Sequence, residues 1–186
     1  VFGITDIIIV DDSCLDTLGK GKGRYITLES DRLSRYTDDY EEMAQELAAE
    51  IGSFIPEGDI LVAGLGNNDI TPDALGPQAA AKVLATRHLR DELDNDEEQF
   101  LTSLRRVSSY AGGVLGQTGI ESAEMIRAIC RELKPAAVIA VDALACSDVS
   151  RLGTTIQISD SGISPGSGVA NTRRELSQRV LGVPVI

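Results

Sequence analysis

The sequence predicts an α/β protein with a mostly parallel, open sheet flanked by helices. Three observations support this class: short apolar runs bounded by glycine and proline, helical patterns between those runs, and polar loops that follow them. Continuous apolar runs of this length are typical of strands that are buried on both faces of a parallel sheet. With 186 residues, the chain predicts a single α/β domain over residues 1–186.

The first part of the chain predicts two strands and a helix. Residues 4–10 form a β-branched run, and residues 25–28 form a second run after a turn rich in glycine and lysine. From Thr37 to Phe54, apolar side chains recur at helical spacing among acidic ones. Gly52 and Pro56 close this predicted helix.

Further apolar runs predict the parallel sheet. Residues 59–64 and 137–141 indicate strands buried on both faces, and residues 154–159 are expected to continue the series. Residues 183–186 begin like another buried strand, which suggests that the domain continues downstream.

Two helices are predicted between these strands. The first follows Asp73 and ends near Arg87 and His88. The second ends at Pro135, and Thr118 with Glu121 has the spacing of a capping box at its start. Strands that alternate with helices in this way favour an open sheet, whose sites lie beyond the carboxyl ends of the strands.

Composition excludes several classes of function. With 17 basic and 29 acidic residues, the net charge is −12, and such a field repels nucleic acid and anionic membrane surfaces. No apolar run approaches the roughly 20 residues of a membrane span, and no signal peptide is recognisable. Cys14, Cys130 and Cys146 form no C-x-x-C pair, so we interpret them as packing residues in a reducing, cytosolic protein.

Two carboxylates follow predicted strands in the same local pattern. Asp73 and Asp142 each precede an Ala-Leu pair in the loop after a buried run. If the two strands are neighbours, both side chains face one crevice, where one carboxyl keeps its proton while the other stays charged. Such a pair can activate water against an amide. The structural alternative is that Asp73 caps the following helix and Asp142 accepts hydrogen bonds from loop amides.

Two motifs resemble known functional sequences, but physical arguments exclude the functions that they suggest. Residues 64–69 begin like a dinucleotide-binding loop, but Asp69 occupies the position of the third glycine and would repel a pyrophosphate. Residues 162–166 match G-x-S-x-G, yet Pro165 lacks the N–H that should bind the oxyanion, and the single histidine precedes the serine.

A metal-dependent hydrolase stays open as an alternative. Asp73 and Asp142, with Asp160 or Glu121, supply oxygen ligands near strand ends. A zinc site built on histidines is not available, because His88 is the single histidine of the chain.

Seven short motifs lie between residues 64 and 169. They are GLGN at 64–67, TPDALGP at 71–77, ATRHL at 85–89, TGIE at 118–121, VDALA at 141–145, TIQISDSGI at 155–163 and PGSGV at 165–169. Together they resemble the germination proteases, or spore proteases, of endospore-forming bacteria. The resemblance extends from about residue 19 to the end of the chain.

This resemblance implies an endopeptidase that degrades small acid-soluble spore proteins when spores germinate. It also implies a zymogen with an N-terminal propeptide, a homotetramer, and a location in the cytoplasm of the forespore and spore core. Substrates with acidic residues near the scissile bond are expected. The family's two proposed catalytic aspartates fall on Asp73 and Asp142. We expect Asp142, charged, to act as the base and Asp73, protonated, as the acid, with the roles exchangeable.

The resemblance also implies a fold similar to that of the hydrogenase maturation endopeptidases, whose Gly-x-Gly-Asn loop matches residues 64–67. Those enzymes hold a metal with two carboxylates and a histidine. Asp73 and Asp142 can stand for the carboxylates, but the histidine has no counterpart, so catalysis without a cofactor is favoured. A metal-assisted peptidase and an inactive or zymogen homologue that only binds spore proteins stay as alternatives. The family's C-terminal region is not recognisable after residue 184.

An acidic protein that binds acidic substrates needs positive charge close to its site, since a field of like sign slows encounter. The predicted substrate-binding residues are Arg87, Arg105, Arg106 and Arg127.

Overall fold

The structure, a computed structural model, describes residues 1–31, 33–34, 39–89, 103–146, 148–165 and 174–186. The chain folds as two compact units. The antiparallel unit comprises Val1–Ile55, Ala145–Ser161 and Ile186, and the parallel unit comprises Pro56–Leu144 and Gly162–Val185. The single domain over residues 1–186 stays a prediction.

Strands and helices follow one another along both units. In chain order, the strands are β1 (Gly3–Ile9), β2 (Gly23–Glu29), β3 (Ile60–Gly64), β4 (Val107–Tyr110), β5 (Ala137–Val141) and β6 (Thr155–Ser159). The helices are α1 (Leu15–Leu18), α2 (Tyr40–Gly52), α3 (Leu75–Ala81), α4 (Leu115–Thr118), α5 (Ser122–Leu133) and α6 (Gln178–Leu181). Turns of 3-10 helix lie at Asp12–Cys14, Thr71–Asp73 and Val149–Arg151. No helix in the described ranges is long and apolar enough to cross a membrane.

The antiparallel unit contains a sheet in the order β1-β2-β6. The two strands predicted in the first 30 residues pair antiparallel with each other, and Ile26 and Leu28 are fully buried in β2. The guanidinium of Arg24 in β2 donates to the carboxylate of Asp6 in β1, with 2.8 Å between Nη2 and Oδ2. This hydrogen bond lowers the pKa of Asp6. The predicted helix is α2, which buries Met43.

The parallel unit contains a sheet in the order β4-β3-β5, with β3 parallel to both neighbours. All five residues of β3 are buried, which confirms the predicted strand. On the outer side of β5, Val138 forms a parallel bridge with Val185, and its N–H donates to the carbonyl of Pro184 at 2.9 Å. The segment at residues 183–186, predicted as the start of a buried strand, contacts β5 through this isolated bridge, and its last two residues, Val185 and Ile186, are buried.

Helices cover both faces of this parallel sheet. Gly64 faces α3, where an added Cβ would lie 2.2 Å from the carbonyl oxygen of Gly76. Its neighbour Ala63 belongs to a buried cluster with Ile126 and Cys130 of α5. Since side chains alternate between the two faces of a strand, α3 and α5 lie on opposite faces. The predicted α/β class with a parallel sheet is confirmed, and an antiparallel sheet accompanies it.

The chain leaves β3 and β5 in opposite directions along the sheet. After β3 it passes through α3 to β4, whereas after β5 it returns to the sheet on the far side of β5, at Val185. Neighbouring strands with this property form a topological switch point, and ligands of open α/β sheets bind in the crevice at their carboxyl ends. The loops after β3 and β5 are therefore where a site is expected.

Several sequence predictions are wrong in detail. Residues 154–159 do not continue the parallel series, because β6 pairs antiparallel with β2. Only Ile158 of β6 is buried, as its alternation of apolar and polar side chains suits a sheet with one covered face. The helix after Asp73 ends at Ala81, well before Arg87.

The predicted capping box and one cysteine also differ from expectation. Thr118 lies at the end of α4, where its hydroxyl accepts a hydrogen bond from the N–H of Ile120, so it does not cap α5. Glu121 precedes α5 without a side-chain cap bond. Cys130 is buried as predicted, but Cys146 is exposed.

Candidate active site

Asp73 lies in the loop after β3, at the end of a 3-10 turn that begins at Thr71. Its carboxylate accepts a hydrogen bond from the backbone N–H of Asn67, with 2.7 Å between N and Oδ2. The N-cap of α3 is Ala74, and no side chain bonds to this helix end. The structural alternative, in which Asp73 caps α3, is therefore wrong.

Gly66 lets the loop after β3 close tightly on Asp73. Its φ of +115° lies in the region that favours glycine. An added Cβ would lie 2.1 Å from the carbonyl oxygen of Asp73 and 3.1 Å from its Oδ1. The glycine loop at residues 64–67 therefore encloses an aspartate, which accounts for its two glycines without any dinucleotide.

Asp142 is the first residue after β5 and is half-buried. Its Oδ1 accepts a hydrogen bond from the N–H of Ala143 at 2.9 Å. The N–H of Leu65 donates to the carbonyl of Val141 at 2.8 Å, which extends the pairing of β3 and β5 to the end of both strands. A loop-amide bond of the kind that the structural alternative predicts for Asp142 is thus present.

Gly76 brings the start of α3 against the ends of both strands. An added Cβ would lie 2.2 Å from the carbonyl oxygen of Leu65 and 2.3 Å from that of Val141. Asp73 lies three residues before this contact, and Asp142 directly follows Val141. The structure therefore places both aspartates at one edge of the parallel sheet, in the loops that follow the two strands at the switch point.

Gln117 of α4 joins this loop to the glycine-rich segment at residues 111–119. Its Nε2 donates to Oδ1 of Asn67 at 2.9 Å and to Oδ2 of Asp69 at 3.2 Å. Its Oε1 accepts a hydrogen bond from the N–H of Val114 at 3.3 Å. Gln117 is not among the site residues predicted from the sequence, because a single polar residue in a glycine-rich segment carries no pattern.

A cleft of about 300 Å³ lies beside the loop that holds Asp73. Its lining is small and uncharged, and consists of Gly66, Asn68, Pro77, Ala81, Ala111, Gly113 and Gln117. This volume is at the lower end of the range for ligand pockets, about 300–1,000 Å³, and suits one or two side chains of a peptide.

The predicted substrate-binding arginines do not gather beside the aspartates. The N–H of Arg87 donates to the carbonyl of Val107, the first residue of β4. Arg105 donates to the carbonyl of Pro56 at 3.0 Å, and Arg106 lies between Arg105 and β4. These three therefore lie at the amino edge of the sheet, about 13 Å from the carboxyl edge for a strand of this length.

Arg106 and Arg127 differ in their surroundings. Arg106 pairs with Asp59, with 3.6 Å between Nε and Oδ2. Arg127 lies in the middle of α5, half-buried, and forms no ion pair with any residue of the described ranges. A substrate role for the four arginines stays a prediction, and three of them, Arg87, Arg105 and Arg106, lie at the edge of the sheet opposite the aspartates.

The other residues considered as metal ligands have different surroundings. Asp160 belongs to the antiparallel unit, where its Oδ1 accepts the N–H of Arg24 at 2.7 Å. Glu121 begins α5. His88 is exposed in the turn that leads away from α3. Among the residues that the structure describes, no three His, Cys, Asp or Glu side chains are arranged to hold a metal ion.

Fold and site together define an α/β protein with a pair of carboxylates at the switch point of a parallel sheet. The family model for the germination proteases matches residues 2–186. The chain therefore belongs to the germination protease family, which confirms the resemblance seen in the sequence motifs.

Curated germination proteases from several bacteria are similar to this chain. That of Clostridium acetobutylicum is 42% identical over 190 residues, which cover 98% of this chain and 57% of the relative. That of Caldanaerobacter subterraneus subsp. tengcongensis is 43% identical over 187 residues, with 98% and 57% covered. That of Bacillus subtilis is 46% identical over 176 residues, with 90% and 47% covered. The chain spans about half the length of the curated relatives that it matches.

Proposed function

We propose that this chain acts as an endopeptidase on small acid-soluble spore proteins during spore germination, with Asp73 and Asp142 activating the attacking water. Membership of the germination protease family supports a peptidase and its biological setting. The observation that carries the mechanism is the placement of both aspartates at the carboxyl ends of neighbouring parallel strands.

In the proposed reaction, one carboxylate accepts a proton from a water molecule while the water oxygen attacks the carbonyl carbon of the scissile amide. The second carboxyl group donates its proton to the amide nitrogen as the C–N bond breaks. Two carboxyl groups that share one proton provide a base and an acid at the same pH. The products are a new carboxyl terminus and a new amino terminus.

Each aspartate accepts a hydrogen bond from a backbone N–H: Asp73 from Asn67 and Asp142 from Ala143. Such a bond stabilises the charged form of either carboxyl group, so it does not assign the base. We retain Asp142 as the base and Asp73 as the acid, with exchange of the roles as the alternative.

The cleft beside Gly66 is the proposed place for part of the substrate peptide. Its walls are glycine, alanine, proline and side-chain amides, so it suits an uncharged side chain. The preference for acidic residues near the scissile bond belongs to the same proposal, and its basic partner is not among the residues that line the cleft.

The proposal extends to the assembly and setting that the family resemblance implies. These are synthesis as a zymogen, a homotetramer, and a place in the cytoplasm of the forespore and spore core. No metal or other cofactor is assigned a role.

Cleavage of a purified small acid-soluble spore protein tests this function. The wild-type chain is compared with Asp73→Asn and Asp142→Asn, and products are identified by mass spectrometry. Asp31→Asn is the matched control, because Asp31 is exposed and belongs to the antiparallel unit. We expect the wild type and the control to cut beside acidic residues, and both site variants to lose at least about 1,000-fold in rate while they remain folded.

Other outcomes separate the alternatives. Full activity in both folded site variants contradicts the carboxylate pair. Loss of activity in a chelator with recovery in a divalent cation favours the metal-assisted peptidase. Stoichiometric binding without products favours an inactive or latent homologue.

A further inference from the structure

We infer that Gln117 is a positioning residue that holds the carboxylate of Asp73 in place through Asn67. The inference rests on the proposed function only where activity is the readout, because the geometry that it describes can be measured without turnover. Gln117 lies 50 positions from Asn67 in the sequence, and no catalytic pattern includes it.

The connection consists of two hydrogen bonds in series. The N–H of Asn67 donates to Oδ2 of Asp73 at 2.7 Å, and Oδ1 of Asn67 accepts from Nε2 of Gln117 at 2.9 Å. The same Oδ1 accepts the N–H of Asp69 at 2.9 Å, so the Asn67 side chain closes its own loop as well. Both the backbone and the side chain of Asn67 are thereby fixed, and the orientation of the N–H toward Asp73 follows from this.

All three hydrogen-bonding functions of the Gln117 amide are used. One donor goes to Asn67, a second to Oδ2 of Asp69 at 3.2 Å, and Oε1 accepts the N–H of Val114. Gly113, with φ of +77°, lets its loop approach so closely that an added Cβ would lie 2.7 Å from Oε1. The side-chain oxygen of Gln117 is therefore held by its own loop, while the side-chain nitrogen bonds to the loop after β3.

The chemistry of the contact requires an amide. A carboxylate at position 117 has the same shape but no donor, so it would face the oxygens of Asn67 and Asp69 with like partial or full charge. Because Gln117 is exposed, its bonds exchange with water easily and are expected to contribute little to global stability. A large effect on catalysis with a small effect on stability distinguishes positioning from a structural role.

Kinetics of the full chain give the first test. We compare Gln117→Ala and Gln117→Glu with Gln178→Ala and Gln178→Glu, in which the exposed glutamine of α6 serves as the matched control. Displacement of a catalytic group by about 1 Å costs up to about 100-fold, so we expect kcat of the Gln117 variants to fall about 10- to 100-fold. Because Gln117 also lines the cleft proposed for the substrate, KM is expected to rise as well, and kcat is the readout that reports positioning. The control variants should behave as the wild type.

The pH profile sharpens this test. In Gln117→Glu, the introduced carboxyl regains one donor when it is protonated, so the deficit in kcat relative to the wild type should shrink at acidic pH. Gln117→Ala has no such group, and its deficit should not depend on pH in this way. Equal kcat in wild type and Gln117→Glu, or a loss carried entirely by KM, overturns the inference.

Nuclear magnetic resonance gives a test that needs no activity. In the wild type, the amide proton of Asn67 should shift as Asp73 titrates, because its N–H donates to that carboxylate, and Asp73→Asn should abolish the shift. We expect the amplitude of this shift to fall by at least half in Gln117→Ala and Gln117→Glu and to be unchanged in Gln178→Ala. An unchanged amplitude in the Gln117 variants refutes the positioning role, whereas an inactive wild type with the expected shifts contradicts only the proposed function.

Discussion

Replacement of Gly76 by alanine should separate the start of α3 from the strand ends that it contacts. The added Cβ would lie 2.2 Å from the carbonyl oxygen of Leu65 and 2.3 Å from that of Val141, whereas ordinary contact begins at 3.4 Å. Relief of this overlap requires a displacement of about 1.2 Å, and backbone atoms bound in a sheet cannot move apart so far without loss of packing.

The expected magnitude follows from that displacement. Overpacking of a tight interior typically costs about 1–3 kcal/mol, and two backbone contacts place Gly76→Ala at the upper end, about 3 kcal/mol. Because Asp73 lies three residues before Gly76, the same movement shifts it relative to Asp142. A shift of about 1 Å in a catalytic group corresponds to a loss of about 100-fold in kcat.

Urea unfolding followed by circular dichroism measures the stability, and cleavage of a small acid-soluble spore protein measures the activity. Gly116→Ala is the matched control in the same unit, because an added Cβ there meets nothing within 4 Å. In α4 this control should leave stability unchanged or raise it by up to about 1 kcal/mol. Surface substitutions typically change the free energy of unfolding by no more than about 0.5 kcal/mol. If the value for Gly76→Ala lies within that range of the wild type, the close packing of α3 on the strand ends is refuted.

Two further predictions concern charge and thiol chemistry. The hydrogen bond from Arg24 lowers the pKa of the Asp6 carboxyl group in the folded state. The ion pair therefore stabilises the fold fully above the unfolded pKa, near 3.8. This contribution is lost as the pH falls through the lower pKa of the folded state. Asp6→Asn should therefore reduce the free energy of unfolding at pH 7, and the difference from the wild type should shrink as the pH falls below 3.8, as urea titrations over this pH range will show. Burial raises the pKa of the Cys130 thiol, so under native conditions iodoacetamide should label the exposed Cys146 and reach Cys130 only after unfolding, as read by peptide mapping. Equal labelling of both cysteines in the folded chain contradicts the burial of α5 against the sheet.

The parts of the fold that the sequence predicts are those with strong local patterns. The apolar run of β3 is buried on both faces, so no alternation disguises it, and the same holds for the start of β5. By contrast, β4 has the sequence Val-Ser-Ser-Tyr, with two polar residues at its centre, and carries no apolar run. Its Ser109 hydroxyl donates to the carbonyl of Ala80 in α3, a tertiary contact that the sequence does not reveal.

The candidate site likewise contains residues that the sequence predicts and contacts that it does not predict. Asp73 and Asp142 are recognisable because each follows a buried strand, and the strand pairing is what brings them to one edge. The partner of a strand, however, is determined by contacts with residues far away in the sequence. The composition of β6, for example, does not predict that it pairs with β2. The arginines were predicted from charge alone, and charge carries no information about which edge of a sheet a residue occupies.

The division of the chain between its two units constrains how the molecule can fold. The polypeptide leaves the parallel unit after Leu144, supplies β6 to the antiparallel unit, and returns at Gly162 before Val185 pairs with β5. The antiparallel sheet joins Arg24 to Asp160, which are 136 residues apart in sequence. During synthesis, therefore, the antiparallel sheet cannot be completed until β6 has left the ribosome, and such long loop closures slow folding. A single cut between residues 144 and 155 would separate β6 from β1 and β2, and Val185 from β5, so neither piece would contain a whole unit.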